Sequence, residues 1–205
     1  MIINDPSKIE ARSMELIESE LTVPIADDVK DIVKRVIHCT ADFDYAQNLA
    51  FSPGAVEKAL AALREGCAIV TDTQMAKAGI NKKALAALGC DIYCYMSDAD
   101  VAQTAAKNGS TRAVASMDKA AALGKPTIFA IGNAPTALLH LRELIDSGKV
   151  KPVLVIGVPV GFVNILEAKE AIMSADVPYI VAKGRKGGSN VAAAIVNALL
   201  YRITR

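Results

Sequence analysis

From residue 67 to the end of the chain, short apolar runs alternate with longer segments in which apolar residues recur at helical spacing. Glycine, proline or polar residues bound each run. Continuously apolar strands that alternate with helices are typical of a parallel sheet covered on both faces. We therefore predict an α/β fold with three layers, α/β/α, and a mostly parallel central sheet of about five strands. The predicted strands lie in CAIVTD (67–72), CDIYCYM (90–96), PTIFAIG (126–132), PVLVIGV (152–158) and VPYIVAKG (177–184).

The N-terminal part of the chain follows the helical period instead. PSKIEARSMELIESEL (6–21) mixes apolar and charged residues at helical spacing. A second helix is predicted to begin at Pro24, because proline and the acidic residues after it favour a first helical turn, and to end at His38. SPGAVEKALAALREG (52–66) predicts a third helix, closed by Gly66.

The chain has 205 residues, of which 52% are hydrophobic, enough for a sizeable core. No linker or low-complexity stretch interrupts the pattern. We therefore predict one domain over residues 1–205, mainly helical over 1–66 and alternating between strand and helix over 67–205.

Charge and hydropathy exclude several partners. The 23 basic and 22 acidic residues leave a formal net charge of +1, without the basic stripe typical of nucleic-acid binding. No apolar stretch reaches membrane-spanning length, and MIINDPSKIE (1–10) lacks the leader pattern of a signal peptide. We expect a cytoplasmic protein that binds neither nucleic acid nor membrane.

The polar turns after the predicted strands mark the expected binding site, because ligands of open α/β sheets bind beyond the carboxyl ends of the strands. Asn133 or Thr136 is expected to cap the helix that has Pro135 in its first turn. Ser189 is expected to cap the last helix. Helix N-termini carry unpaired N–H groups and partial positive charge, so a ring of them suits a ligand with several carboxylates or phosphates.

The segment KGRKGGS (183–189) combines three basic residues with three glycines. It has neither the Walker A spacing nor the GxGxxG spacing of nucleotide-binding loops. Two interpretations remain open from composition alone: a flexible cationic clamp for an anion, or a solvated connection between a strand and a helix.

His38 is one of two histidines in the chain and lies at the predicted end of the second helix. The negative end of the helix dipole stabilises an imidazolium, and Asp42 or Asp44 could stabilise it further. His38 would then be a proton donor near neutral pH. The alternative is a capping histidine bonded to the last carbonyls of the helix. A thiolate–imidazole pair with Cys39 is disfavoured, because neighbours in sequence rarely point together.

The remaining cysteines and the second histidine indicate structure rather than metal chemistry. Cys90 and Cys94 are four residues apart, without the CxxC spacing or the further ligands of a metal site. His140 lies on an apolar helix face. We predict structural burial for these three residues, reduced thiols throughout the chain and no bound metal.

Seven segments together resemble the precorrin-8X methylmutase family, also called the cobalt-precorrin-8 methylmutases. The resemblance runs in order along nearly the whole chain, and the combination of GNAPTAL, PVGFV and GRKGGS is its most specific part. The segments are EARSMELI, IHCTADFDYAQNLAFSPGA, VTDTQM, NGSTRAVASM, AIGNAPTAL, IGVPVGFVNILEAKE and GRKGGSNVAAAIVNAL.

The resemblance implies a homodimeric α/β isomerase of cobalamin biosynthesis without a dissociable cofactor; any cobalt belongs to the substrate. It implies a [1,5]-sigmatropic shift of a methyl group from carbon eleven to carbon twelve of a corrinoid that bears many carboxylates. His38 corresponds to the family's catalytic histidine, which protonates the macrocycle and takes a proton back. The resemblance implies substrate contacts at Arg12, Ser13, Asp72 and Arg112. Asn133, Thr136, Arg185 and Ser189 are expected to be further contacts, because the helix N-termini and the basic segment 183–189 suit a ligand with many carboxylates.

Two other function classes remain at this point. A non-catalytic carrier of corrinoids or other tetrapyrroles would use the same binding residues, with His38 only structural. An unrelated nucleotide-dependent α/β enzyme would need a phosphate-binding fingerprint, and the chain shows none. Turnover of the bound corrinoid distinguishes the first class from the proposed enzyme.

Overall fold

The computed structural model of the protein describes residues 4–205, except for the side chain of Ser7. It begins with helix α1 (Pro6–Glu20), which confirms the helix predicted from the spacing of the first segment. The first three residues of the segment tested for a signal peptide lie outside the described residues.

Helix α2 (Lys30–Thr40) begins later than the sequence pattern predicts. The predicted start at Pro24 is wrong, because the residues before Lys30 form a turn in which the Val29 N–H donates to the Ala26 carbonyl at 3.1 Å. The predicted position of His38 near the end of this helix is confirmed, since His38 lies in its last turn.

Ion pairs align α1 antiparallel to α2. Glu10 of α1 pairs with Arg35 near the end of α2, at 2.7 Å, and Glu18 pairs with Lys34 at 3.0 Å and with Lys30 at its start. The first half of α1 therefore lies beside the last turns of α2.

Within residues 4–205 the central sheet has six strands in the order β1-β6-β5-β4-β2-β3, and β2 to β6 run parallel. The order reverses between β2 and β4, so the chain leaves β2 on one side and returns on the other, which opens a crevice at their carboxyl ends. The strands are β1 (Leu49–Phe51), β2 (Ala68–Thr71), β3 (Asp91–Tyr93), β4 (Thr127–Ile131), β5 (Leu154–Gly157) and β6 (Tyr179–Ala182).

The five strands predicted from the apolar runs are all present, and β1 is an addition to them. It lies in the segment predicted to be mainly helical and pairs antiparallel with β6. Its three residues are too few to show a strand period, and the strand forms because β6 offers a free edge. The assignment of residues 1–205 to one domain stays a prediction.

Helices cover both faces of the sheet, as the predicted three-layer architecture requires. The strand β4 shows this directly, because Ile128 and Ala130 belong to one apolar cluster while Phe129 and Ile131 belong to the other. The remaining described helices are α3 (Tyr45–Asn48), α4 (Ala55–Arg64), α5 (Gln74–Gly79), α6 (Lys82–Ala87), α7 (Ala99–Asn108), α8 (Arg112–Ala121), α9 (Pro135–Asp146), α10 (Ile165–Met173) and α11 (Ser189–Thr204).

The burial predicted for Cys90 and Cys94 is confirmed, whereas His140 is only partly buried. Cys90 and Cys94 are buried free thiols. His140 links α9 to α8, with Nε2 2.7 Å from Asp118 and Nδ1 2.8 Å from Glu143. Desolvation lowers the pKa of His140, but the two carboxylates outweigh it and leave the pKa raised. The helix face around His140 is therefore less apolar than the spacing predicts.

None of the helices in the described part of the chain is long and apolar enough to cross a membrane. The cytoplasmic location stays a prediction.

Candidate active site

The carboxyl ends of β2, β4, β5 and β6 meet at one edge of the sheet, which we call the mouth. It is formed by the turns at residues 71–74, 132–136, 158–164 and 183–189. These are four of the five turns that the sequence pattern marks for ligand binding. Because β2 and β4 flank the point where the strand order reverses, the centre of the mouth is the crevice of the fold.

Asp72 organises the centre of the mouth. Its carboxylate accepts hydrogen bonds from the N–H groups of Gly132 at 2.8 Å, Asn133 at 2.8 Å and Ala134 at 2.6 Å. The residue is 1% exposed. Burial raises the pKa of Asp72, and the three N–H bonds oppose that shift. The buried carboxylate thus holds the turn after β4 in place and does not face solvent.

This arrangement corrects the capping scheme predicted for α9 and α11. The residue before α9 is Ala134, so neither Asn133 nor Thr136 caps the helix, and the carboxylate of Asp72 bonds the N–H groups of that turn instead. Pro135 does open α9, as predicted. Ser189 is the first residue of α11 rather than its cap, because the chain enters that helix through Gly188.

The segment 183–189, which we call the basic loop, crosses the carboxyl ends of β5 and β4. The Gly188 N–H donates to the Val158 carbonyl at 2.8 Å. A Cβ atom at Gly187 would collide with that carbonyl oxygen, and one at Gly132 would lie 2.8 Å from the Gly188 carbonyl oxygen. Glycine is therefore required at these two positions for the loop to lie against the sheet edge.

A buried lysine side chain holds the basic loop by hydrogen bonds to the backbone carbonyls of the loop. Lys169 of α10 is 1% exposed, and its Nζ donates to the carbonyls of Gly184 at 2.7 Å and Lys186 at 2.9 Å. Burial lowers its pKa to about 8. Sequence analysis missed this residue, although a signal exists: Lys169 shares the apolar face of α10 with Ile165 and Ile172.

The basic loop is tied to the end of α2 by a second lysine. Lys186 Nζ lies 2.7 Å from Asp42 and 2.6 Å from Asp44, in the segment that follows α2. Hydrogen bonds to Asp42 and Asp44 raise the pKa of Lys186. The sequence pattern suggests that Asp42 or Asp44 stabilises His38, but both carboxylates pair with Lys186 instead. These two ion pairs fix the distance between the basic loop and α2.

His38 is an exposed side chain in the last turn of α2. Its neighbour Cys39 donates its thiol to the carbonyl of Asn190 in the first turn of α11, at 3.9 Å, which places the end of α2 against α11. Desolvation of the thiol raises the pKa of Cys39, so a thiolate–imidazole pair is disfavoured. Thr40 Oγ1 donates to the Val36 carbonyl and the Ala41 N–H to the Ile37 carbonyl, while within residues 4–205 no hydrogen bond joins the His38 side chain to a carbonyl of α2, so His38 does not act as its cap.

The positive end of the α11 dipole opens at the mouth. Ser189 Oγ lies 2.7 Å from Thr73 Oγ1, which joins the start of α11 to the turn after β2. The N–H groups before α9, by contrast, are taken up by Asp72. Of the two helix N-termini predicted to attract anions, α11 is the better candidate.

Arg112, Asn133 and Thr136 lie on neighbouring turns at this same edge of the sheet. Arg112 is exposed in the first turn of α8, next to Thr111, and Thr111 Oγ1 is 3.4 Å from Thr136 Oγ1 at the start of α9. Asn133 is exposed, while its backbone N–H is bound to Asp72. These residues extend the polar rim of the mouth towards α8.

Arg12 and Ser13 lie on α1, which reaches the site only through its packing on α2. Arg12 is exposed and pairs with Glu15 at 3.0 Å, and Ser13 Oγ donates to the Ile9 carbonyl at 2.8 Å. Both side chains are therefore bound within their own helix. The antiparallel alignment of the two helices places both residues on the half of α1 that flanks the end of α2.

An exposed apolar patch borders the basic loop. Phe162 is 81% exposed and Val163 is 75% exposed, and Met75 is exposed in the first turn of α5, which follows β2. The guanidinium of Arg185 lies 5.5 Å from the centre of the Phe162 ring, a cation–π contact. The mouth thus combines cationic groups with uncovered apolar surface, which suits a flat apolar ligand with anionic substituents.

Comparison with known proteins gives a consistent match over almost the whole chain. The family model described as precorrin-8X methylmutase matches residues 8–202. The chain is 48% identical to a cobalt-precorrin-8 methylmutase from Salmonella typhimurium, covering 98% of this chain and 97% of the relative. It is 43% identical to a cobalt-precorrin-8 methylmutase from Leptospira interrogans, covering 97% and 94%.

A solved structure agrees with these relatives in fold and sequence. The crystal structure of a precorrin-8X methylmutase from Thermus thermophilus superimposes with a TM-score of 0.88 at 40% identity, covering 95% of each chain.

Proposed function

Because the chain belongs to the precorrin-8X methylmutase family, we propose that it moves a methyl group from carbon eleven to carbon twelve of precorrin-8. Membership makes the protein an intramolecular methyl-transferring isomerase of cobalamin biosynthesis. The product is hydrogenobyrinate, or cobyrinate when the substrate carries cobalt. The relatives from Salmonella typhimurium and Leptospira interrogans are named for the cobalt form, which favours cobalt-precorrin-8 as the substrate.

One observation carries the proposal: the segment that follows the exposed His38 is joined to the basic loop of the mouth by the ion pairs of Asp42 and Asp44 with Lys186. In the proposed reaction His38 gives a proton to the macrocycle, which selects the tautomer able to rearrange. The methyl group then leaves carbon eleven and bonds to carbon twelve. His38 takes a proton back, so the reaction consumes neither protons nor electrons.

The mouth supplies the binding energy in this proposal. Arg185 and Arg112 bond substrate carboxylates through their planar guanidinium groups, and the first turn of α11, at Ser189, attracts a further carboxylate. The exposed Phe162 and Val163 pack on the macrocycle. Asn133, Thr136, Arg12 and Ser13 are the remaining proposed contacts. Asp72 is proposed to act indirectly, by holding the turn after β4.

The proposed chemistry requires no dissociable cofactor. A sigmatropic shift breaks one carbon–carbon bond and forms another within the same molecule, so it needs neither a redox partner nor a covalent nucleophile. Cobalt, where present, enters as part of the substrate. What the protein must provide is a positioned acid–base group and a site that holds the macrocycle.

We propose that the functional unit is a homodimer whose second copy helps to enclose the substrate. The exposure of Phe162 and Val163 at the mouth leaves apolar surface for both a macrocycle and a partner subunit.

Light scattering at assay concentration is expected to give the mass of two chains. A fully active monomer under the same conditions would contradict the dimer while leaving the chemistry untouched.

Replacing Arg185 by alanine is expected to weaken corrinoid binding by about 1–3 kcal/mol, the range for a hydrogen bond to a charged group. The control is Arg64→Ala, which removes an exposed arginine from α4, away from the mouth. Titration of the product absorption at low salt measures both affinities. Equal affinities for Arg185→Ala and the unaltered protein would make the basic loop a solvated connection.

Turnover separates the enzyme from a carrier. The purified protein is incubated with cobalt-precorrin-8 and, separately, with metal-free precorrin-8, and the absorption spectrum is followed. Conversion of either substrate to the rearranged corrinoid supports the proposal. Tight binding of both without any conversion would instead identify a corrinoid carrier.

A further inference from the structure

A second cavity lies at the opposite edge of the sheet from the mouth, where the parallel strands begin. Its volume is about 640 Å³, within the range of small-molecule sites. Three successive connections form it, namely those that lead from α8 to β4, from α9 to β5 and from α10 to β6. The proposed methyl shift makes no use of this cavity.

Four lysines surround the cavity: Lys58, Lys125, Lys149 and Lys151. Lys125 forms an ion pair with Asp91. Within residues 4–205, the other three ammonium groups form no ion pair, and the cavity lining contains no carboxylate. In a chain with a net charge of only +1, this is a local excess of positive charge around one concave surface, which attracts anions.

Apart from the lysines, the lining of the cavity is mostly apolar, and it is preformed. Three of the protein's eight prolines, Pro126, Pro152 and Pro178, line it together with small apolar residues, and proline fixes its own backbone angle. The connections are also bonded to the neighbouring strands: the Pro126 carbonyl accepts from Ala68 and the Pro178 carbonyl from Val155, each at 2.9 Å. A ligand would therefore find an ordered site.

We propose that this cavity binds a small anionic molecule with an apolar body and at least two carboxylate, sulfonate or phosphate groups. The apolar floor receives the body, and Lys58, Lys149 and Lys151 pair with the anionic groups. A ligand of this class offsets the mutual repulsion of the three lysines and covers the apolar floor at once. The site is separate from the mouth and independent of the proposed methyl shift.

Pyranine, a rigid aromatic trisulfonate, serves as a fluorescent probe for the whole chain at low salt. The double variant Lys149→Gln/Lys151→Gln is expected to weaken pyranine binding at least tenfold. The double variant Lys83→Gln/Lys107→Gln, which makes the same charge change on exposed helical positions elsewhere, is expected to leave it unchanged. Both double variants are expected to keep the rate of the methyl shift, so this test is separable from that of the proposed function.

A third variant tests whether the apolar floor of the cavity contributes to pyranine binding. Ala121→Trp fills the cavity while every lysine remains, and it is also expected to weaken binding at least tenfold; thermal unfolding checks that the variant is folded. Four results overturn the proposal. The first two are no pyranine binding to the unaltered protein and an equal loss of pyranine affinity in the Lys83→Gln/Lys107→Gln control. The third is a loss of affinity in Arg185→Ala, which would place pyranine at the mouth, and the fourth is a loss confined to Lys149→Gln/Lys151→Gln, which would indicate surface charge alone.

Discussion

His38→Ala is expected to lower the rate of the methyl shift by about 10²–10⁴-fold, the usual contribution of a positioned acid–base group. The reason is that His38 is an exposed imidazole in the last turn of α2, which lies against the first turn of α11 at the mouth, and within residues 4–205 no hydrogen bond joins it to a carbonyl of α2. Corrinoid affinity is expected to stay close to that of the unaltered protein, because the proposed carboxylate contacts lie on other elements. The two measurements are single-turnover rate and product titration.

The chain offers two matched controls for this prediction. His140→Gln removes the other histidine, which links α8 and α9 far from the reaction, and Cys39→Ser removes the neighbouring thiol. Both are expected to keep the rate. Near-normal turnover in His38→Ala would mean that the proton comes from another group, while joint loss of folding and binding would make His38 structural.

Asp72→Asn is expected to lower the free energy of unfolding by about 3 kcal/mol. Asparagine keeps the shape of the side chain but turns one acceptor into a donor, so at least one of the N–H groups of Gly132, Asn133 and Ala134 loses its partner. An unsatisfied buried donor costs about 1–3 kcal/mol, and the bonds that remain lose their charge. Urea unfolding measures the difference.

The control is Asp91→Asn, on the neighbouring strand β3, where the carboxylate is exposed and forms an ion pair with Lys125. An exposed ion pair contributes about 0–1 kcal/mol, so this variant is expected to stay near the stability of the unaltered protein. The comparison also distinguishes two roles for Asp72. If Asp72→Asn is fully stable but binds the corrinoid weakly, the carboxylate contacts substrate directly.

The layers of the fold are predictable from sequence because four of the parallel strands are almost continuously apolar. The strands around Ile69, Phe129, Val155 and Ile180 are buried at nearly every position, and such strands require helices on both faces. The same pattern places the mouth, since polar turns follow the strands. The strand β1 is not predictable in this way, because it forms by pairing with β6 and shows no strand period in its own sequence.

The connections within the mouth are not predictable in the same way. Lys186 meets Asp42 and Asp44 across more than a hundred residues, and nothing in the local pattern links the two segments. Capping preferences predict a partner at the start of the helix itself, whereas the N–H groups before α9 are bonded by Asp72 from the turn after β2. Lys169 is different, because a lysine on the apolar face of a helix is itself a sign of a buried partner.

The most direct test of the proposed function is a crystal structure of the protein with the rearranged corrinoid bound. The macrocycle is expected to lie across the mouth, against Phe162 and the basic loop, with its carboxylates on Arg185 and the first turn of α11 and its ring within hydrogen-bond reach of His38. A corrinoid bound away from the mouth, or one bound there with His38 out of reach of the ring, would contradict the proposed function.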